Sequence, residues 1–364
     1  MLVVLHVVGA RPNFMKAAPV MTALSSRRMI EQILVHTGQH YDSAMSDIFF
    51  RDLGLPRPDL NLEVGSGTHA FQTAQVMMKF EEAILANPPG IVLVYGDVNS
   101  TVAATLVCAK LQIPVGHVEA GLRSFDRGMP EEINRIVTDQ LADLLFTPSP
   151  DGNENLEREG IGSTKVHLVG NVMIDTLVKL LPLASERWHN GSLPGWKDRQ
   201  YGLVTLHRPS NVDDSEKLGR LVRALAEISS DIPLIFPIHP RTRERVRDLA
   251  SLPDSLKVVA PLGYLDFLAL QTRAKFIITD SGGVQEETTF LGVPCLTLRS
   301  NTERPVTAAV GTNVLVGEDI NNLKIAIIQI LEGSGKVGKI PPLWDGHASD
   351  RIADVIQEWH RSRI

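Results

Sequence analysis

Three carboxylates stand where their chemistry is hard to explain by solvation. Asp97 closes the apolar run IVLVYGD (91–97), Glu119 nearly closes PVGHVEA (114–120), and Glu131 follows Pro130 in MPEEINR (129–135). A strand that is still hydrophobic ends on a glutamate at a desolvation cost unless that side chain finds partners or a site. If the two runs are neighbouring strands, all three acids face one place. Repulsion and desolvation there should raise at least one pKa towards neutrality. That suits general acid–base chemistry on a weakly acidic C–H or a sugar hydroxyl. A structural account competes with it, in which Glu131 complements a helix dipole and Glu119 pairs with Arg123.

Other stretches read as anion sites. GARPNFMK (9–16) sets Arg11 and Lys16 at a strand-to-helix turn, where both can neutralise a phosphate. In DSGGVQEE (280–287), Ser281, Gly282 and Gly283 can offer hydroxyl and backbone N–H groups to a diphosphate. Glu286 or Glu287, a turn further in, could accept hydrogen bonds from ribose hydroxyls. HRPSN (207–211) ends a strand with His207, a phosphate ligand or general acid, and Arg208 stands beside it. Arg135, at the end of MPEEINR, joins these binding candidates. Two further matches are set aside. GSGTHA (65–70) lacks the early strand and acidic partner of a dinucleotide site, and GSGKVGKI (333–340) has Ile340 where a P-loop has Ser or Thr.

The elements that must position these residues are legible as continuous apolar runs. They fall at 2–9, 32–38, 91–97, 114–120, 144–149 and 166–171, then at 202–207, 234–239, 256–261, 276–281, 294–299 and 312–317. Such runs, separated by helical patterns, imply parallel strands covered on both faces. The expected fold is therefore α/β, with two doubly wound Rossmann-like domains. The polar, Gly- and Pro-broken segment 182–200 reads as a connector, and the last helix could pack on either domain. The candidate residues all follow strand ends, where open parallel sheets bind ligands, so two such sheets would enclose an interdomain active-site cleft.

The totals agree with two domains, since 364 residues exceed what one core usually serves. A net charge of −6 argues against a nucleic-acid binder. Cys108 and Cys295 lie far apart in apolar runs and read as buried free thiols of a cytoplasmic protein. No ligand spacing suggests a metal, and the apolar N-terminus, too short for a bilayer, reads as a first strand rather than a membrane segment.

Taken in order, GARPNFMK, TGQH, YGDVNST, HVEAGLRS, MPEEINR, GNVMIDT, TDSGGVQEE, GVPCLTLR and TERP resemble the non-hydrolysing UDP-N-acetylglucosamine 2-epimerases. The resemblance implies a B-type glycosyltransferase architecture with a UDP-sugar in the cleft. It also implies a last helix that crosses back, so the domains are expected at 1–170 plus 350–364 and at 171–349. The implied reaction inverts C2 of UDP-GlcNAc to give UDP-ManNAc, through elimination and re-addition of UDP by way of a 2-acetamidoglucal. Asp97, Glu119 and Glu131 match the catalytic carboxylates, and His207 matches a histidine near the diphosphate. Arg11, Ser281 and Gly282 match phosphate contacts, and Glu287 matches the ribose ligand. No metal or nicotinamide cofactor is implied, and a homodimer is.

Some positions depart from the family pattern. Asn13 stands where a glutamate is common, Pro209 and Ser210 interrupt the usual H-R-x-E-N, and IHPRT (238–242) replaces HxNP. Tyr41 and Asp42 after TGQH, with GSG at 65–67, weaken the expectation of regulation by a second substrate molecule. The departures leave room for a diacetamido or uronic acid sugar. A hydrolysing relative, a glycosyltransferase on the same fold and a silent UDP-sugar sensor are the competing readings.

Overall fold

The computed structural model describes residues 1–38, 53–189, 196–246 and 252–363, with backbone alone at 11, 240 and 241. The chain forms two compact units, Met1–Thr176 with Pro342–Ile364, and Leu177–Pro341.

The first unit holds a seven-stranded sheet of β1 (Leu2–Val8), β2 (Ile30–His36), β3 (Leu60–Asn61), β4 (Ile91–Tyr95), β5 (Val115–Val118), β6 (Leu144–Thr147) and β7 (Val166–Leu168). Their order is β3-β2-β1-β4-β5-β6-β7, and every pairing is parallel. β4 is buried at all five positions, which is why it reads as an unbroken apolar run. Each fully buried Val or Leu of this kind stabilises the fold by about 1.5–3 kcal/mol.

The second unit repeats the plan with β8 (Gly202–Thr205), β9 (Leu234–Pro237), β10 (Leu256–Val259), β11 (Phe276–Thr279), β12 (Cys295–Thr297) and β13 (Asn313–Leu315). The order is β10-β9-β8-β11-β12-β13, again all parallel. Each sheet reverses its winding once, between β1 and β4 in the first unit and between β8 and β11 in the second. These switch points are where a doubly wound sheet leaves a crevice.

Two expectations need correction. β3 lies under no apolar run, because both its residues are exposed. The first part of the supposed connector is helical, since the helix Val172–His189 runs through Pro182. Ala184 within it is buried, and Trp188 stacks on Tyr201.

The same helix shows why the first unit reaches 176 rather than 170. Thr176 Oγ1 donates to Met15 O at 2.5 Å, and Asp175 accepts the N–H groups of Ala348 and Ser349 at 3.1 and 2.7 Å. Asp175 thus caps the last helix, Ala348–Arg361, which packs on the helix Arg11–Ser25. The return begins at 342 rather than 350. Trp344 there is buried and donates to Pro148 O at 2.9 Å.

Both cysteines are free and buried. Burial first, then the charge of Asp143, pushes the Cys108 thiol up to about 12, and burial pushes Cys295 up to about 11. Among the described residues, no helix is long and apolar enough to cross a membrane, and no cluster of His, Cys, Asp and Glu could hold a metal ion.

Candidate active site

The first two carboxylates follow β4, which borders the switch point of the first unit, and its neighbour β5. β4 and β5 are neighbours, so Asp97 and Glu119 leave the sheet side by side. Glu119 sits on a bulge, because its own N–H and that of Ala120 both donate to Phe146 O, at 3.1 and 3.0 Å. Its φ of +78° is rare for a residue with a side chain and costs about 1–3 kcal/mol. The re-aimed carboxylate meets Lys16 Nζ at 2.7 Å, with both side chains nearly buried. Gly96 makes room for this pair. Its φ is +63°, and a Cβ there would lie 2.6 Å from Lys16 Nζ.

The second cation is Arg135. Its Nη1 is paired with Asp97, while Nε and Nη2 donate to Glu132 Oε2 at 3.0 and 2.6 Å. The Pro-Glu-Glu motif therefore divides its labour on the helix Pro130–Leu141. Glu132 is buried and also accepts the N–H groups of Ser124 and Phe125 at 2.9 and 2.8 Å. Burial alone would raise its pKa, but those bonds and Arg135 hold it below the usual value. Glu131 is half-buried in the first turn, with no hydrogen-bond or ion-pair partner among the described residues. Asn134 ties the helix to Asp97 O at 2.9 Å.

The proposed Glu119–Arg123 pair does not form. Arg123 is held instead by Asp139 and Glu159, each at 2.7 Å. Asn13 has a local explanation: its Oδ1 accepts the N–H groups of Gly9 and Ala10, and its Nδ2 donates to Tyr95 O at 2.6 Å. A glutamate could not make that last bond. The Arg11 side chain lies outside the described residues, as do Gln39, His40, Tyr41 and Asp42.

The switch point of the second unit is built on an acid that the motif reading passed over. Asp280 is fully buried and accepts the backbone N–H groups of His207 and Arg208 and the amide of Asn211, at 3.0–3.1 Å. His207 Nδ1 lies 2.9 Å from Asp280 Oδ1, while most of its ring stays exposed. Burial would raise the Asp280 pKa, but His207, Asn211 and the Arg208 N–H outweigh it and hold the carboxyl low. Glu303 plays the same part for guanidinium groups. It binds Arg299 through two contacts of 2.8 Å and Arg208 at 3.2 Å, with Arg304 at 3.6 Å. Burial opposes its ionisation, yet the arginines hold its pKa far below the usual range.

Ser281 precedes the helix Gly282–Leu291 without capping it through its side chain, and the backbone N–H groups of Gly282 and Gly283 open the first turn. A Cβ on Gly282 would lie 2.4 Å from Arg304 Nη1, so only glycine lets that guanidinium lie over the turn. Glu286 pairs with Arg304 at 2.8 Å. Glu287 is buried and accepts Tyr264 Oη at 2.8 Å and Gln271 Nε2 at 3.0 Å, with its two oxygens in separate bonds.

The set-aside motifs are structural here. Thr68 caps the helix His69–Leu85, and Lys336 donates to Ala308 O and Asn313 O. Glu303 and Asp139 escaped sequence reading, and Asp280 and His117 were legible only as polar residues at strand ends, without a role. A polar residue inside an apolar run, as in PVGHVEA, was the one available signal, and its partner 22 residues away was not readable.

Two parallel α/β units, with acids at one switch point and cations and a Gly-Gly turn at the other, define a protein of two Rossmann-like domains in the B-type glycosyltransferase class. The family model described as UDP-N-acetylglucosamine 2-epimerase matches residues 22–357. The chain belongs to that family, whose members are isomerases. It is 43% identical to the UDP-N-acetylglucosamine 2-epimerase of Methanocaldococcus jannaschii, over 96% of this chain and 97% of that one. It is 41% identical to the UDP-2,3-diacetamido-2,3-dideoxy-D-glucuronate 2-epimerase of Pseudomonas aeruginosa, over 97% and 99%. The crystal structure of the M. jannaschii enzyme in complex with UDP-GlcNAc and UDP superposes with a TM-score of 0.89 at 42% identity, over 98% of this chain and all of that one.

Proposed function

We propose that the protein inverts C2 of a UDP-linked 2-acetamido sugar, converting UDP-GlcNAc and UDP-ManNAc into one another without net hydrolysis. A carboxylate takes the C2 proton, the C1–O bond breaks, and UDP leaves with the bonding pair. The product of that half-reaction is a 2-acetamidoglucal. UDP then returns to C1 while a proton reaches C2 from the opposite face. Asp97, Glu119 and Glu131 share the proton transfers and stabilise positive charge at C1. His207, Arg208, Ser281, Gly282 and Gly283 hold the diphosphate with Arg11, and Glu287 takes the ribose.

The observation that carries this reading is the pairing of Asp97 and Glu119 at the ends of adjacent strands, each with its own buried cation. A pure binder of an anionic ligand gains nothing from such acids. The test is proton NMR with UDP-GlcNAc in D₂O. Appearance of UDP-ManNAc carrying deuterium at C2 is expected. Free ManNAc with UDP would replace the reading by hydrolysis, and consumption only with an acceptor would replace it by transfer.

A second reading, a modified UDP-sugar as substrate, is favoured by near-equal identity to the P. aeruginosa diacetamido-glucuronate enzyme. Parallel incubation with UDP-GlcNAc and UDP-2,3-diacetamido-2,3-dideoxyglucuronate separates the two by the ratio of kcat/KM.

A further inference from the structure

His117 lies in β5, two residues before Glu119, and is fully buried. Its Nε2 is 2.9 Å from Gly96 O, and its Nδ1 is 2.6 Å from Asp139 Oδ1. A backbone carbonyl can only accept, so Nε2 carries a proton. Asp139 Oδ2 accepts the Gly121 N–H at 3.1 Å and Arg123 at 2.7 Å. Burial would raise the pKa of Asp139, but His117 and Arg123 hold it below the usual value. Both ring nitrogens are thereby engaged, one by the carbonyl and one by the carboxyl group.

The positions of these contacts give the pair a purpose. Gly96 immediately precedes Asp97, Gly121 follows Glu119 by two residues, and Asp139 belongs to the helix whose first turn carries Glu131. One buried pair thus joins the three segments that present the carboxylates. The Glu119 bulge needs such a restraint, because a strained φ persists only where its surroundings over-determine it. Gly121 gives it a rigid end. Its φ is +81°, and a Cβ there would meet Gly152 O at 2.5 Å.

We propose that His117 and Asp139 are positioning residues that hold Asp97, Glu119 and Glu131 in mutual register. The proposal rests on reading this cluster as the acid–base centre of the epimerase. Neither residue needs to touch substrate.

The experiment uses the full chain. In the ¹⁵N-labelled wild type, the His117 Nε2–H, assigned by its loss in His117→Gln, should exchange slowly with solvent because it is buried against Gly96 O. Rapid exchange of that proton overturns the clamp. His117→Gln should lower kcat about 100-fold and leave the Kd for UDP within about two-fold, the loss expected from displacement of a reacting group by an ångström. Placed in a Glu119→Gln background, the same substitution should cost far less than 100-fold, because its effect runs through the lost carboxylate. Wild-type kcat, or losses that multiply in full, overturn the positioning role. If His117→Gln fails to fold, Asp139→Asn preserves shape and is read by the same cycle. A wild-type protein that leaves every UDP-sugar offered unchanged overturns the epimerase reading itself, and exchange of the His117 Nε2–H still decides the clamp.

Discussion

The two switch points use buried charge in opposite senses. At the end of β4 and β5, cations serve acids: Lys16 pairs with Glu119, and Arg135 with Asp97. At the end of β8 and β11, acids serve cations. Asp280 fixes the His207–Arg208 turn from below, and Glu303 gathers Arg208 and Arg299. In the proposed reading, the same sheet plan presents carboxylates for proton transfer in one unit and positive groups for an anion in the other. A buried ion pair is weak evidence for stability as such, because desolvation offsets much of its attraction. Its use here is to hold the strand-end groups in place.

The comparison breaks most severely if the carboxylates prove dispensable. Asp97→Asn or Glu119→Gln should lower turnover by about 10²–10⁴, the range of general acid–base catalysis, with UDP affinity nearly unchanged. Steady-state kinetics beside calorimetry with UDP reads both, and wild-type turnover removes that residue from the mechanism. Next in size is Lys16→Met, which leaves Glu119 buried without its cation. Urea unfolding should show a loss of about 3–5 kcal/mol, as for other broken buried pairs. A loss under about 1 kcal/mol would mean that the pair is a surface-like contact.

Asp280→Asn sharpens the contrast through pH. The folded pKa of Asp280 lies below its ordinary 3.8, so the charged form contributes stability above that value. That contribution is lost as pH falls through the lower folded pKa. The melting-temperature gap between wild type and variant should therefore be full at neutral pH and shrink below about pH 4. A gap independent of pH would deny that the carboxylate charge supports the turn. The smallest effect is expected from Gly282→Ala. The added Cβ displaces Arg304, so UDP binding should weaken by about ten-fold, or about 1.4 kcal/mol, with kcat at saturation little changed. Unaltered affinity would remove Arg304 and this turn from diphosphate binding.

Most of the fold was written locally. Among the described residues, twelve of the thirteen strands lie under the apolar runs, since burial on both faces leaves a continuous signature. β3 left none, because it is short and exposed on both residues. The residues of the site were legible by type and by position after a strand. Their partners were not. Glu119 has Arg123 four places along, yet it pairs with Lys16 at a separation of 103 residues.

By itself, then, the sequence determined the strands, the doubly wound plan and the chemistry available at each strand end. Those follow from apolar periodicity and residue type, which act over a few neighbouring positions. Only the tertiary structure decided which acid met which cation, that Glu132 would be structural while Glu131 stayed unclaimed, and that Asp280 would underpin the histidine turn. Such choices depend on strand order and on one bulge, and a charge pairs with whatever the sheet places within 3 Å rather than with its nearest neighbour in the chain.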